Sequence, residues 1–130
     1  MALTVGWVGE TTHIVTAADT AEVYGSGLLP VLSTPCLVAW MENTAQQGVA
    51  PYLEPGDTTV GARIAVNHLA ATPVGMAVRV RAELVAMDGR RLHFRVEAWD
   101  AVDKIGEGEH TRVIINPTRF MQRVTAKQSV

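Results

Sequence analysis

Three polar side chains stand in segments that are otherwise apolar, and their types suit acyl transfer or hydrolysis. Glu42 follows six apolar residues, 36–41, within a predicted helix. His68 ends a predicted strand in which alternate residues such as Ile64 are apolar. A carboxylate in an apolar layer is costly unless it has partners or a function. With the Thr34 hydroxyl and the N–H groups of the helix start, these side chains supply a nucleophile, a general base and donors for a developing oxyanion.

The helix that carries Thr34 and Glu42 is predicted over about residues 34–49, before Pro51. Thr34 followed by Pro35 suits a helix start, with the hydroxyl as N-cap and proline at the first helical position. The six apolar residues that follow cover more than one turn, which is typical of a helix buried on every side. We therefore expect this helix to be the most buried element.

Apolar residues at alternate positions predict strands around the helix. Residues 3–15 are rich in β-forming residues and are broken near Gly9, which suggests one interrupted strand. In the next strand, one face is predicted to consist of Val60, Ala62, Ile64, Val66 and His68. Two further strands have inward faces formed by Val78, Val80, Ala82 and Leu84, and by Leu92, Phe94, Val96 and Ala98. A last strand is predicted over about residues 105–116, with bulges at its glycines.

The turn between the third and fourth strands determines their register. A three-residue loop, Met87-Asp88-Gly89, would pair Leu84 with Leu92 and keep both apolar sets on one face. Glycine suits the left-handed position of such a loop. In this register Arg81 lies opposite Arg95 on the outer face, where like charges are destabilising unless something compensates them.

The order of elements is strand, buried helix, then four strands in a mostly antiparallel sheet. A helix that is apolar on nearly every side must be wrapped by a strongly curved sheet, which is the α+β hot-dog architecture. We expect a single hot-dog domain over residues 1–130. Such a sheet leaves one strand edge exposed, and pairing of that edge in a homodimer would remove it.

The composition and net charge of the chain exclude several classes of function. The chain has 130 residues, of which 48% are hydrophobic and 18% charged, and a net charge of −2 that gives no general attraction to nucleic acid or to an anionic membrane. No apolar run approaches a membrane span, and the first residues lack a signal-peptide pattern. The one cysteine, Cys36, allows no internal disulfide, so a cytoplasmic location is expected. The histidines lack metal-ligand spacing, and we predict no metal site.

The run "STPCLVAWMENTA…APYLEPGDTTVGARIAVNHLAATPVG", followed by "GRRLHFRVEAWDAVDKIGEGEHTR", resembles the hot-dog acyl-CoA thioesterases. The similarity is greatest to the fluoroacetyl-CoA thioesterase group and covers about residues 30–120. It implies hydrolysis of a short-chain acyl-CoA to free acid and coenzyme A by a homodimer or higher oligomer. Coenzyme A would enter only as part of the substrate, with no separate cofactor.

The resemblance also implies roles for particular residues. The catalytic set of the family falls on Thr34, Glu42 and His68. A strand glycine that lines the acyl pocket falls on Gly61, and a late-strand arginine falls on Arg112. The attacking group stays open at this point, since the Thr34 hydroxyl, the Glu42 carboxylate or a water could each serve.

One segment departs from the family pattern. The fluoroacetyl-specific member has a longer, phenylalanine-bearing lid before the helix, whereas "GSGLLPVL" is shorter and offers Leu28 and Leu29 as an aliphatic pocket wall. We therefore expect modest selectivity among short acyl groups.

Simpler interpretations exist for each of these residues. Glu42 could be a helix carboxylate satisfied by a neighbouring donor, and His68 a satisfied core histidine. Cys36 lies near a helix start but has no placed basic partner, which favours a core thiol over an activated one. Arg81 and Arg95 could bind a phosphate of coenzyme A or could lie on a solvated face with acidic neighbours. Two rival functions are a non-catalytic acyl-CoA binding module and a hot-dog hydratase or dehydratase.

Overall fold

The computed structural model describes residues 2–129 and contains five strands and one long helix. The strands are β1 (Val8–Ile14), β2 (Thr58–His68), β3 (Ala77–Asp88), β4 (Arg91–Trp99) and β5 (Lys104–Ile115). The helices are α1 (Ala21–Tyr24), α2 (Thr34–Val49) and α3 (Pro117–Ala126), with short 3-10 turns at Ala17–Asp19, Ala50–Tyr52 and Lys127–Ser129.

The five strands form one antiparallel sheet in the order β1-β3-β4-β5-β2. Within the described chain β1 and β2 are therefore the edge strands. Helix α2 packs on one face of the sheet, and its contacts reach β1, β2, β3 and β4. The predicted α+β arrangement of one helix on an antiparallel sheet is confirmed.

The core lies between α2 and the inward face of β3 and β4. The predicted inward sets of these strands are all buried: Val78, Val80, Ala82, Leu84, Leu92, Phe94, Val96 and Ala98. From the helix, Leu37, Met41, Ala45 and Val49 are fully buried against them. At this spacing they form a stripe along one side of α2, as expected for a helix that covers a sheet.

The other side of α2 is not enclosed by its own chain. Thr34 and Ala39 are exposed, and Val38, Trp40 and Glu42 are only partly buried. One chain therefore covers only one side of the helix. That the sheet continues across a dimer and covers the other side stays a prediction. The uncovered side includes the apolar residues Val38 and Ala39.

The N-cap of α2 is one residue earlier than predicted. Ser33, not Thr34, is the N-cap, and its hydroxyl accepts a hydrogen bond from the Cys36 backbone N–H at 3.1 Å. Pro35 still lies in the first turn. Because Ser33 provides the cap, the Thr34 side chain is free to make a different contact.

Strand β2 contains a bulge that strict alternation does not predict. Gly61 pairs with Arg112 and Arg63 pairs with Thr111, so Ala62 is an extra residue. The bulge reverses the faces of the residues before it, and therefore Val60 and Ala62 do not share the face of Ile64. The prediction is wrong at these two residues and correct for Ile64, Val66 and His68, which are all partly buried. As a result Gly61 faces α2.

The β3–β4 hairpin also differs from the predicted register. Asp88 pairs with Arg91 around a tight Gly89-Arg90 turn, and Leu84 pairs with Phe94 rather than Leu92. Gly89 has a φ of 59°, the left-handed conformation that favours glycine. A bulge between Leu84 and Ala86 restores the apolar faces beyond the turn.

This register pairs opposite charges. Arg81 lies across from Glu97, and Glu83 lies across from Arg95. Arg81 Nη1 is 3.2 Å from Glu83 Oε1 and 3.4 Å from Glu97 Oε1. The predicted Arg81–Arg95 pair is wrong, and the case for a phosphate there disappears with it.

Two further elements differ from expectation. Strand β1 runs through Gly9 without a break. Helix α3, for which no element was predicted, begins after Asn116, whose side chain accepts from the Arg119 N–H, with Pro117 in the first turn. Asparagine followed by proline is a helix-start signal that the sequence contains. Among residues 2–129 no helix is both long and apolar enough to span a bilayer.

Candidate active site

Thr34 and His68 form a hydrogen-bonded pair at the start of α2. Thr34 Oγ1 lies 2.8 Å from His68 Nδ1. The pair joins the first helical residue to the last residue of β2, and it borders a cavity of about 370 Å³ that Leu32 and Ser33 also line. A hydroxyl within hydrogen-bonding distance of an imidazole that is open to a cavity is the arrangement of a nucleophile and its base.

The environment of His68 keeps its imidazole neutral. Burial lowers the pKa of His68 below its ordinary value of 6.5, and the nearby backbone of Ala70 has a smaller effect in the opposite direction. A neutral ring carries one N–H and one acceptor nitrogen. Its Nε2 is buried and has no hydrogen-bond partner within residues 2–129. The ring edge at Nδ1, beside Thr34, is the edge available for proton transfer.

Glu42 belongs to a second polar group, which lies further along α2. Its Oε2 lies 3.8 Å from Arg112 Nη1 and would be 2.8 Å from a Cβ built on Gly61. A side chain at position 61 would therefore collide with the carboxylate. The β2 bulge turns Gly61 toward α2, and because glycine has no side chain, the Glu42 carboxylate fits against it.

Arg112 is almost wholly buried beneath Glu42, with 6% of its surface exposed. Its Nε donates to Thr59 Oγ1 at 2.7 Å and its Nη2 donates to the Thr59 carbonyl at 3.0 Å. The remaining nitrogen, Nη1, lies 3.3 Å from His110 Nε2. Burial lowers the pKa of Arg112, and the Glu42 carboxylate opposes that shift. The guanidinium is thus fixed on three sides and presents its positive charge to Glu42.

The two polar groups are separate within one chain. Thr34 and Glu42 are eight residues apart on α2, a rise of about 12 Å at 1.5 Å per residue. Gly61, beside Glu42, is seven residues from His68 along β2, a span of roughly 20 Å. The structure therefore brings Thr34 to His68, and Glu42 to Gly61 and Arg112, but it does not bring Glu42 to His68 in the same subunit.

Two other predictions concern the surroundings of the site. Leu28 is 91% exposed, so within a single chain it does not form a pocket wall. The helix start offers fewer donors than expected, because Pro35 has no N–H and the Cys36 N–H is bound to Ser33. Cys36 itself is a buried thiol whose pKa burial raises to about 11, which fits a core residue rather than a nucleophile.

His110 belongs to the site although its sequence position does not single it out. It is 1% exposed, and its Cε1 would be 3.6 Å from a Cβ on Gly61. The available signal is its spacing, because residues two apart on a strand share a face and Arg112 follows two positions later. No three His, Cys, Asp or Glu side chains of residues 2–129 are grouped as a metal site would require.

Comparison with solved structures identifies the class of protein. The fluoroacetyl-CoA thioesterase FlK superposes with a TM-score of 0.92 at 38% identity, over 98% of both chains. A hypothetical protein of Thermus thermophilus, described as a thioesterase superfamily member, superposes at 0.88 with 29% identity over 97% of this chain and 96% of that one. A hot-dog-like protein from Thermanaerovibrio acidaminovorans has the same fold at 24% identity, with a TM-score of 0.88 over 95% of this chain and 91% of that one. The fold is that of the hot-dog thioesterases, as predicted.

Sequence comparison identifies the family. The fluoroacetyl-CoA thioesterase of Streptantibioticus cattleyicolor is 46% identical over 97 residues, which cover 75% of this chain and 70% of that enzyme. The family model of the fluoroacetyl-CoA-specific thioesterases matches residues 15–118. This chain belongs to that family. It is an acyl-CoA thioesterase, a thioester hydrolase, and the binding-module and hydratase alternatives are not favoured.

Proposed function

We propose that the protein hydrolyses short-chain acyl-CoA thioesters in a site that contains Thr34, Glu42 and His68. The observation that carries this proposal is the 2.8 Å contact between Thr34 Oγ1 and His68 Nδ1 at the edge of a cavity. Variants of the related FlK have been solved in complexes with fluoroacetate, with fluoroacetate and coenzyme A, and with acetyl-CoA. Two-carbon acyl groups are therefore the first substrates to test.

In the proposed reaction neutral His68 accepts a proton as an oxygen attacks the thioester carbonyl. The tetrahedral intermediate collapses with cleavage of the C–S bond, and the thiolate of coenzyme A takes up the proton that His68 holds. The attacking oxygen belongs to Thr34 or to a water bound beside it. Attack by water gives the free acid directly, whereas attack by Thr34 gives an acyl-threonine ester. A water that His68 deprotonates would then hydrolyse this ester, releasing the free acid and returning the proton to Thr34. Rapid quenching followed by mass spectrometry distinguishes the two, since only attack by Thr34 leaves an acyl group on its peptide.

Glu42 and Arg112 supply the charged part of the proposed site. The carboxylate lies beside Gly61, with the buried guanidinium 3.8 Å away, so a positive charge favours this position before substrate binds. We assign Gly61 to the wall next to the acyl group and its strand amide to the thioester oxygen. The reaction as proposed needs no cofactor beyond the coenzyme A of the substrate. A cytoplasmic location is consistent with the single free thiol of Cys36.

A homodimer would unite the two halves of the site. Strand β2 is an edge of the sheet, and the adjacent side of α2 is uncovered in the single chain. A two-fold axis near the middle of β2 would pair this strand with its copy in antiparallel orientation, which brings the Gly61 end of one strand to the His68 end of the other. Glu42 of the partner subunit would then approach Thr34 and His68. The alternative of a higher oligomer would retain this pair as its unit.

The proposal is tested by measuring release of free thiol from a panel of acyl-CoA esters. We expect hydrolysis to be fastest with two- to four-carbon acyl groups and to decline with longer chains, because pocket volume limits the acyl group. Absence of thiol release from every short ester would contradict the proposed substrate class. A matched preparation with Thr34→Ala and His68→Gln shows whether the activity resides in this site.

A further inference from the structure

A buried chain of contacts runs from the β2 bulge to Glu42, and His110 is its central member. His110 Nδ1 lies 2.8 Å from the carbonyl oxygen of Arg63, the residue that follows the bulge. On the other side of the ring, Nε2 lies 3.3 Å from Arg112 Nη1. Arg112 Nη1 is in turn 3.8 Å from Glu42 Oε2. One imidazole thus links the backbone that turns Gly61 inward to the cation beneath the carboxylate.

The partners of His110 determine its tautomer. A carbonyl can only accept, so Nδ1 carries the hydrogen and donates it to Arg63. A guanidinium can only donate, so Nε2 is the acceptor for Arg112. Both bonds require the neutral ring. Burial is the largest influence and lowers the pKa of His110. The hydrogen bond to the Arg63 backbone opposes it, the charge of Arg112 lowers the pKa further by a smaller amount, and Glu42 has the smallest, raising effect.

We propose that His110 is a positioning residue of the thioesterase site, which orients the Arg112 guanidinium toward Glu42. The inference rests on the role proposed above for Glu42. Thr59 holds the Nε and Nη2 side of the guanidinium, and Nη1 is the nitrogen that reaches both His110 and Glu42. Without an acceptor at Nε2, the buried Nη1 loses the partner that fixes its direction. The carboxylate would then lose its fixed charge partner, and the reacting geometry would loosen.

Two amide variants, each of which reproduces one ring nitrogen of His110, separate this role from a purely structural one. In His110→Asn the amide nitrogen can occupy the Nδ1 position and keep the bond to Arg63, but the acceptor for Arg112 is lost. In His110→Gln the amide oxygen can occupy the Nε2 position and keep the bond to Arg112, but the donor to Arg63 is lost. Each variant removes one buried hydrogen bond, but asparagine is one methylene smaller than glutamine, so His110→Asn should lower the thermal midpoint more than His110→Gln. The split between kcat and KM, which a loss of packing alone would not produce, therefore carries the comparison.

The experiment measures kcat, KM and the thermal midpoint with acetyl-CoA as substrate. We expect His110→Asn to lower kcat by roughly 10- to 100-fold with little change in KM, and His110→Gln to recover most of that loss. His93→Asn is the matched control, because the hydrogen bond that the His93 side chain makes within residues 2–129 goes to Thr111 on the neighbouring strand, outside the site. Its kcat should equal that of the unmodified enzyme.

The outcomes distinguish this inference from the proposed function. Equal kcat losses in His110→Asn and His110→Gln, or unchanged kcat in both, would overturn the positioning role of His110. Glu42→Gln, measured in parallel, tests the underlying assignment. If Glu42→Gln is inactive while His110→Asn is fully active, the proposed function stands and this inference fails. If Glu42→Gln retains full activity, the assignment of Glu42 fails, and with it the role of His110 that depends on it.

Discussion

At the scale of single residues, two histidines differ in their burial and in the groups that they contact. His68 is partly buried at the border of a cavity and contacts a hydroxyl. His110 is wholly buried and contacts a guanidinium and a carbonyl. Burial lowers the pKa of both, so both are neutral near pH 7. Neutrality equips His68 to accept a proton and His110 to accept a hydrogen bond.

Replacement of Glu42 by glutamine should nearly abolish turnover and change the thermal midpoint little. The substitution keeps the shape and hydrogen-bonding capacity of the side chain but removes its charge, and Glu42 is partly exposed rather than buried. Measurement of kcat and thermal unfolding checks this, with Glu54→Gln, an exposed loop position, as control. Turnover close to that of the unmodified enzyme would show that Glu42 has only a structural role.

The pH dependence of kcat/KM should report the lowered pKa of His68. Activity requires the neutral ring, so we expect a flat profile near pH 7 and an acid limb with an apparent pKa below 6.5. Stability should also fall as the pH drops below about 6.5, because the unfolded chain then binds more protons than the folded one. An acid limb centred above pH 6.5 would refute His68 as the base.

At the scale of elements, bulges decide which residues reach the site. The bulge at Ala62 turns Gly61 toward α2, and the one between Leu84 and Ala86 corrects the hairpin register. Each adds one residue to one strand and thereby exchanges the faces on its two sides. The segment before α2 is the other element that matters, because it borders the Thr34–His68 cavity through Ser26.

The short segment before α2 should give only modest discrimination between fluoroacetyl-CoA and acetyl-CoA. Leu28 and Leu29 are exposed in the single chain. If the proposed dimer brings them to the acyl group, they would supply aliphatic surface without the quadrupole of an aromatic ring. A small change in an apolar pocket is worth about 1–3 kcal/mol, or roughly 10–200-fold. The measurement is the ratio of kcat/KM for the two esters, determined side by side. A ratio above about 10⁴ would exceed this range and would indicate the high specificity of the fluoroacetyl-CoA enzymes.

At the scale of the whole molecule, one chain has two separate polar groups, whose members on α2, Thr34 and Glu42, are about 12 Å apart along the helix. The edge strand β2 and the uncovered side of α2 lie next to both groups. Edge strands of this length are usually paired or protected. The proposed dimer would therefore both cover this edge and bring the two polar groups together.

Subunit complementation should show whether the site is shared. Glu42→Gln and His68→Gln homodimers should each be nearly inactive. When the two variants are refolded together, half of the dimers are mixed and each has one intact site, so activity should recover to about a quarter of that of the unmodified enzyme. Size-exclusion chromatography with light scattering verifies the dimer. A monomer in solution, or no recovery in mixed dimers, would contradict the shared site.

Local sequence patterns were sufficient to predict the core faces of two strands, the bounds of α2 and the family. Alternation in β3 and β4 predicted eight buried core residues correctly, since their faces follow directly from the pleat. Thr34 followed by Pro35 predicted the start of α2, and Pro51 predicted its end. The spacing of Thr34, Glu42 and His68 gave the resemblance to the thioesterase family, which the comparisons confirm.

The positions of the bulges, the cross-strand charge pairs and the contacts of the site residues depend on tertiary structure. Bulges are set by pairing with a neighbouring strand, so neither the inward turn of Gly61 nor the pairing of Arg81 with Glu97 could be predicted from one strand alone. Ser33 and Thr34 are equally suitable caps in sequence, and the contact with His68 decides between them. The hydrogen bond between His110 and Arg112 likewise depends on the His110 tautomer, which is set by the Arg63 carbonyl 47 positions away in the chain. Local patterns specify which face a side chain takes, whereas contacts between distant segments specify what it meets there.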